Sequence, residues 1–177
     1  MASLQQIGKQ GELLVGNFFK DLGCVVELSD NPYDMKKDLI VDGVFVEVKT
    51  QTIYRLFPLE NGMKVPAFTV DIETAYGKIY HNQLKKCMSV ERLIFVARST
   101  PNDKEPAVII YEAAPVESRK YYEHRNKKDG RLVAGFLISD MKEIGRITVN
   151  STVGNYRGRD IVEYFMDEWR SKNAVCA

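Results

Sequence analysis

The stretch 37–52, Lys-Asp-Leu-Ile-Val-Asp-Gly-Val-Phe-Val-Glu-Val-Lys-Thr-Gln-Thr, constrains the fold more than any other part of the chain. Two runs of β-favouring residues, 39–41 and 44–50, flank Asp42-Gly43. That dipeptide suits the two positive-φ positions of a two-residue hairpin turn. A hairpin closed there sets Val41 opposite Val44, and stepping outward brings Asp38 opposite Glu47. Because side chains alternate along a strand, Glu47, Lys49 and Gln51 share one face with Asp38, while Val44, Val46, Val48 and Thr50 take the other.

Directly opposed Cβ atoms lie roughly 4.5–5.5 Å apart, so two carboxylates there repel each other unless a cation sits between them. Hard dications such as Mg²⁺ bind one or two carboxylates and leave their other positions to water and phosphate. Lys49, two residues beyond Glu47, would face the same phosphate or the attacking water. The constellation suits metal-assisted hydrolysis of a phosphodiester. Glu and Lys two apart are also common on solvated strand faces. Here Ile40 and Phe45 put apolar bulk on the carboxylate side and the valines fill the other. A strand buried on both faces rarely holds Asp, Glu and Lys without a role.

Asp38, eight intervening residues, then Glu47-Val48-Lys49 resembles the signature of the PD-(D/E)XK nuclease superfamily, and Gln51 resembles a frequent extension of it. Lys37 stands where the proline of the motif's name would be. The resemblance implies an α/β fold of α+β type, with an αβββαβ restriction-endonuclease-like core whose mixed central sheet is flanked by helices. It implies Mg²⁺ as cofactor, with Mn²⁺ as a substitute, and DNA as partner. Asp38, Glu47 and the Val48 carbonyl would hold the metal, Lys49 would orient water or stabilise charge on the phosphate, and Gln51 would steady either. Many members carry a supporting glutamate on the first helix, and Gly11-Glu12 resembles that arrangement. The bland alternative makes Glu12 an ordinary residue at the border of a helix's buried face.

At 177 residues the chain reads as one domain, with the core over about 4–112 and an α/β extension over 113–177. With 45% hydrophobic and 28% charged residues it reads as soluble and globular, and a net charge of +1 means that any nucleic-acid surface is local. Cys24, Cys87 and Cys176 lack a metal-ligand spacing and suggest a reducing, intracellular setting, cytoplasmic or nucleoid-associated. No signal peptide or membrane-length apolar run is visible.

In chain order, Ser3 caps a helix running to about Leu22 and stopped by Gly23, and a strand follows over 24–28. Asn31-Pro32 breaks it, and Asp34 rivals Asp38, which is preferred because it pairs opposite Glu47. Segments 53–57 and 65–70 flank Asn61-Gly62 as a second hairpin or a loop beside the site, where Tyr54, Arg55 and Lys64 read as solvated hairpin residues. A helix is expected over 72–90, carrying His81, Gln83, Lys85 and Lys86, with Gln83 and Lys86 as weak candidates for contacts at the mouth of the site. Strands follow over 92–98 and 107–112.

Segment 118–131 carries a local excess of positive charge. Its Arg119, Lys120, Tyr121, Tyr122, Arg125, Lys127 and Lys128 are the candidate nucleic-acid contacts, cations for phosphates and aromatics for bases. A solvated loop is the competing reading. Beyond it come a strand over 132–138, a short helix capped by Ser139-Asp140 and running to 143, and a strand over 146–149. A small basic loop, 155–159, precedes a last helix over 159–172, whose Ile161, Phe165 and Trp169 close the core or form a homodimer contact. The functional expectation is a DNA endonuclease. The alternatives are a non-catalytic nucleic-acid-binding module, and an RNA-directed or exonucleolytic nuclease using the same chemistry.

Overall fold

Asp42 and Gly43 adopt φ of 49° and 80°, both positive as a type I′ turn requires. The computed structural model describes residues 4–28, 38–51, 55–73, 81–98 and 107–148, with two short strands at 152–153 and 156–157. The turn joins β2 (Leu39–Val41) to β3 (Val44–Gln51) in the expected register, Val41 against Val44 and Leu39 against Val46. Before them lie α1 (Leu4–Asp21) and β1 (Val26–Leu28), which pairs antiparallel with β2. Asp42 ties the turn to the start of β1: its Oδ1 accepts from Val25 N at 2.7 Å, and its own N–H donates to Val25 O at 2.8 Å.

A hairpin of β4 (Arg55–Pro58) and β5 (Lys64–Glu73) and the helix α2 (His81–Ser89) then intervene before β6 (Arg92–Arg98). This strand returns parallel to β3, with Glu47 in register with Leu93 and Lys49 with Phe95. β7 (Ala107–Ala113), β8 (Tyr122–Arg125), β9 (Leu132–Leu137) and β10 (Met141–Thr148) follow. The main sheet is mixed and six-stranded, in the order β1-β2-β3-β6-β7-β10, and a second sheet runs β4-β5-β9-β8. The last described strands, β11 (Thr152–Val153) and β12 (Tyr156–Arg157), pair with each other.

The two faces of the main sheet are covered differently. On one, Leu14, Val15 and Phe19 of α1 pack over Leu39, Val41, Val46, Val48, Ile94 and Val96. On the other, Leu93, Phe95, Ile109 and Tyr111 meet Cys87 of α2 and Phe68 and Phe136 of the second sheet, with Phe68 stacked on Phe95 at 4.5 Å between ring centroids. Each such buried side chain contributes roughly 1.5–3 kcal/mol of hydrophobic stabilisation before entropy is subtracted. These apolar layers, rather than surface ion pairs worth about 0–1 kcal/mol each, set the fold.

Several expected elements differ. Ile72 belongs to β5, not to a helix, because Phe68, Val70 and Ile72 alternate inward as a strand requires. Ser139-Asp140 sit in a single 3₁₀ turn, and residues 141–143 already belong to β10. Part of the basic segment forms β8. Phe45 is 47% exposed, so burial on the carboxylate side begins at Glu47. The Asp34 alternative, Tyr54, Cys176 and the helix expected over 159–172 lie outside the described residues. Among those residues no helix is long and apolar enough to cross a membrane.

Candidate active site

β3 presents Glu47, Lys49 and Gln51 on the face opposite α1, toward α2 and the second sheet. Glu47 is only 1% exposed, and its carboxylate meets two ammonium groups, Lys49 Nζ at Oε1 and Lys86 Nζ at Oε2. Each oxygen of the buried carboxylate therefore faces its own ammonium. Asp38, 15% exposed and immediately before β2, reaches the same place; its Oδ2 accepts from Val48 N at 2.9 Å and its Oδ1 lies 3.2 Å from Lys86 Nζ. The two carboxylates are therefore neighbours, as the sequence predicts, and the cation between them is the ammonium of Lys86.

The charges are strongly coupled. Burial pushes the Glu47 carboxyl above the usual carboxylate range, opposed by the Lys49 ammonium and assisted by the nearby Asp38 charge. Burial works against the Lys49 ammonium too, but Glu47 beside it prevails and holds it above its ordinary value. Lys86 is raised in the same way, its desolvation outweighed by Glu47 and Asp38. Cys87, one residue along α2, has its thiol pushed up to about 11, chiefly by burial.

Gln51 Oε1 accepts from the Thr69 backbone N–H at 3.0 Å and so ties β3 to β5. Glu12 lies on α1, paired with Lys9 at 3.0 Å. Among the described residues no group of three or more His, Cys, Asp or Glu side chains converges, so Glu12 does not complete a triad with Asp38 and Glu47 here. Its neighbour Gly11 nonetheless presses on the end of β3. A Cβ built on Gly11 overlaps Thr50 Oγ1, with Thr50 Cβ and Cγ2 at 3.0 and 3.2 Å.

Arg119 is not an exposed nucleic-acid contact. It is 6% exposed and its guanidinium donates to four carbonyls: Nη1 to Cys87 O at 2.6 Å and Val90 O at 2.8 Å, Nη2 to Glu91 O at 3.2 Å, and Nε to Ala114 O at 3.0 Å. Carbonyls at the end of a helix have no partner within it, so Arg119 caps α2 from across the chain. Tyr121 packs against Phe136, and Arg125 donates to Gly130 O and Glu73. His124 sets its ring edge-on to Phe57. Lys120, near Asp140 and over the Tyr122 ring, and Lys127 and Lys128 in the β8–β9 turn remain exposed.

Lys86 carries the contact that sequence reasoning undervalued, since it meets carboxylates 48 and 39 residues away. The available signal was weak: a lysine on an amphipathic helix immediately preceding the strand parallel to β3. Compared with known proteins, the chain matches no family model, no curated protein and no solved structure.

Proposed function

We propose that the chain is a metal-dependent nuclease of the PD-(D/E)XK type that hydrolyses DNA phosphodiester bonds. The observation that carries the reading is the meeting of Asp38 and the fully buried Glu47 at one ammonium, Lys86, with Lys49 the next residue on Glu47's face of β3. Burying two carboxylates beside each other is costly unless a task or a cation offsets it. The order α1, antiparallel β1-β2-β3, α2, then β6 parallel to β3 supports an αβββαβ core.

The donor set fits Mg²⁺, with Mn²⁺ as a substitute: two hard carboxylates that already share one cation, the Lys86 ammonium, suit an ion that keeps several waters. Asp38, Glu47 and the Val48 carbonyl would hold it. Such an ion supplies Lewis-acid charge to the phosphate and makes water a competent nucleophile at neutral pH. Lys49 directs its ammonium at the negative charge that develops on the phosphate. Lys120, Lys127 and Lys128 are the remaining basic-segment candidates for backbone phosphates.

The test is Mg²⁺-dependent cleavage of end-labelled single-stranded, duplex, nicked and four-way-junction DNA, with wild type beside Lys49→Ala. Cleavage lost in the variant is the expected result, and no cleavage of any form by wild type sinks the reading. One observation favours a second reading: Lys49 and Lys86 together already neutralise both carboxylates, as a purely structural cluster would. A non-catalytic nucleic-acid-binding module then predicts metal-independent binding that survives Glu47→Ala.

A further inference from the structure

From the position of Lys86 we infer that its ammonium is a built-in competitor for the metal, occupying the place between Asp38 and Glu47 and withdrawing when a divalent ion enters. The inference rests on the metal-binding half of the proposed function. Lys49 and Lys86 are not equivalent here: Lys49 meets Glu47 alone, at Oε1, whereas Lys86 bridges Asp38 Oδ1 and Glu47 Oε2. Those are one oxygen from each carboxylate, the arrangement a shared dication takes. An ammonium and a dication cannot hold the same two oxygens.

Charge accounting gives the same result. Asp38, Glu47, Lys49 and Lys86 sum to zero, so a dication entering with both lysines in place leaves a part-buried cluster at +2. Lys86 relieves that excess at little cost. It is 20% exposed and rides on a flexible four-carbon stem from the surface of α2, so its head group can turn to water while the helix stays in place. The α2 backbone is held independently, through the carbonyls that Arg119 caps.

Withdrawal leaves a free ammonium beside the site, where a phosphate is its natural partner. Anything that holds Lys86 outward then favours metal binding, and linkage makes the effect reciprocal: nucleic acid tightens metal binding and metal tightens nucleic-acid binding. The ligand class is thus a dication together with a phosphodiester, engaged in concert rather than independently.

The experiment is Mn²⁺ binding to the full chain, followed by electron paramagnetic resonance, for wild type, Lys86→Met and Glu47→Gln. Lys86→Met is expected to bind roughly ten- to a hundredfold tighter than wild type, within the usual range of site couplings, and Glu47→Gln to lose binding. A wild-type measurement stands beside it in case the variant folds poorly. The Lys86 ¹³Cε–¹Hε resonance, titrated with Mg²⁺, is expected to move toward the position of a solvated lysine. Unchanged or weaker Mn²⁺ affinity in Lys86→Met, a stationary Lys86 resonance while the metal binds, or no binding by either protein overturns the inference. DNA cleavage separates the two ideas. Cleavage with unaltered Mn²⁺ affinity in Lys86→Met overturns the competitor and spares the nuclease; tightened binding without cleavage by wild type does the reverse.

Discussion

Gly8 and Gly11 lie one turn apart on α1, yet alanine at the two positions should act with opposite sign. Among the described residues nothing stands within 4 Å of a Cβ built on Gly8, so Gly8→Ala should stabilise by up to about 1 kcal/mol through helix propensity alone. Gly11→Ala gains the same propensity but drives its methyl into Thr50 Oγ1, and rotation about χ1 offers little relief because Thr50 Cβ and Cγ2 are themselves at 3.0 and 3.2 Å. A β-branched residue in a strand is also stiff at χ1. Overpacking of this kind costs about 1–3 kcal/mol. Because propensity cancels between the two variants, their difference in unfolding free energy reads the overlap directly. At this chain length each kcal/mol moves Tm by roughly 2–4 °C. Thr50→Ala removes the overlapping oxygen, whose buried hydroxyl has no hydrogen-bond partner among the described residues, and by itself should change stability by no more than about 1 kcal/mol. Combined with Gly11→Ala it should recover most of the loss, a coupling within the 0.5–3 kcal/mol expected of touching residues. Urea unfolding of the four proteins, with unchanged m-values, is the assay. If Gly11→Ala is as stable as Gly8→Ala, or Thr50→Ala rescues nothing, α1 does not lie against β3 as described.

Arg119→Met should destabilise by about 3 kcal/mol or more, since it leaves carbonyls around the end of α2 without their charged donor, and Arg119→Lys should recover little because an ammonium lacks the planar fork; urea titration measures both. Asp42→Asn should be close to neutral, whereas Asp42→Ala loses both tolerance of a φ of 49° and the bond from Val25 N, about 1–3 kcal/mol in thermal unfolding. With its thiol pushed up to about 11, Cys87 should resist iodoacetamide in the native protein at pH 8 and react readily in urea; equal rates by mass spectrometry would contradict its burial. If Lys120, Lys127 and Lys128 contact phosphates, replacing each by Ala should lower the salt slope of DNA binding by roughly one, with affinity falling on all sequences alike.

What the sequence made legible was local. The β2–β3 turn, its register and the shared face of Asp38, Glu47 and Lys49 follow from residues within a dozen positions of one another, and each is where alternation puts it. Short-range patterns misled where two periods compete. Phe68, Val70 and Ile72 alternate into the interior of a strand, but Ile72, Ala75 and Ile79 also match a helical stripe, and tertiary packing chose the strand. In β8 the inward alternation of Tyr122 and His124 was hidden by the density of lysine and arginine around it.

The rest was illegible for a different reason: it depends on elements meeting. Lys86 becomes part of the charged cluster only because α2 docks over the carboxylate face of β3, where it packs beside β5 in the cluster that holds Cys87, Phe68 and Leu93. Arg119, in turn, looks like one more cation in a basic run until the end of α2 arrives with its carbonyls unsatisfied; burial then makes it a cap. These dependencies are ordered. The Arg119 guanidinium holds Cys87 O, one residue from Lys86, so it fixes where the Lys86 stem begins. Arg119→Met should therefore loosen the hold of Lys86 on Asp38 and Glu47 as well as destabilising the fold. In the folded fraction, Mn²⁺ affinity should rise toward that of Lys86→Met, because a poorly anchored competitor is a weaker one. Affinity identical to wild type would mean that the carboxylates themselves, rather than the cap on α2, hold the lysine in place.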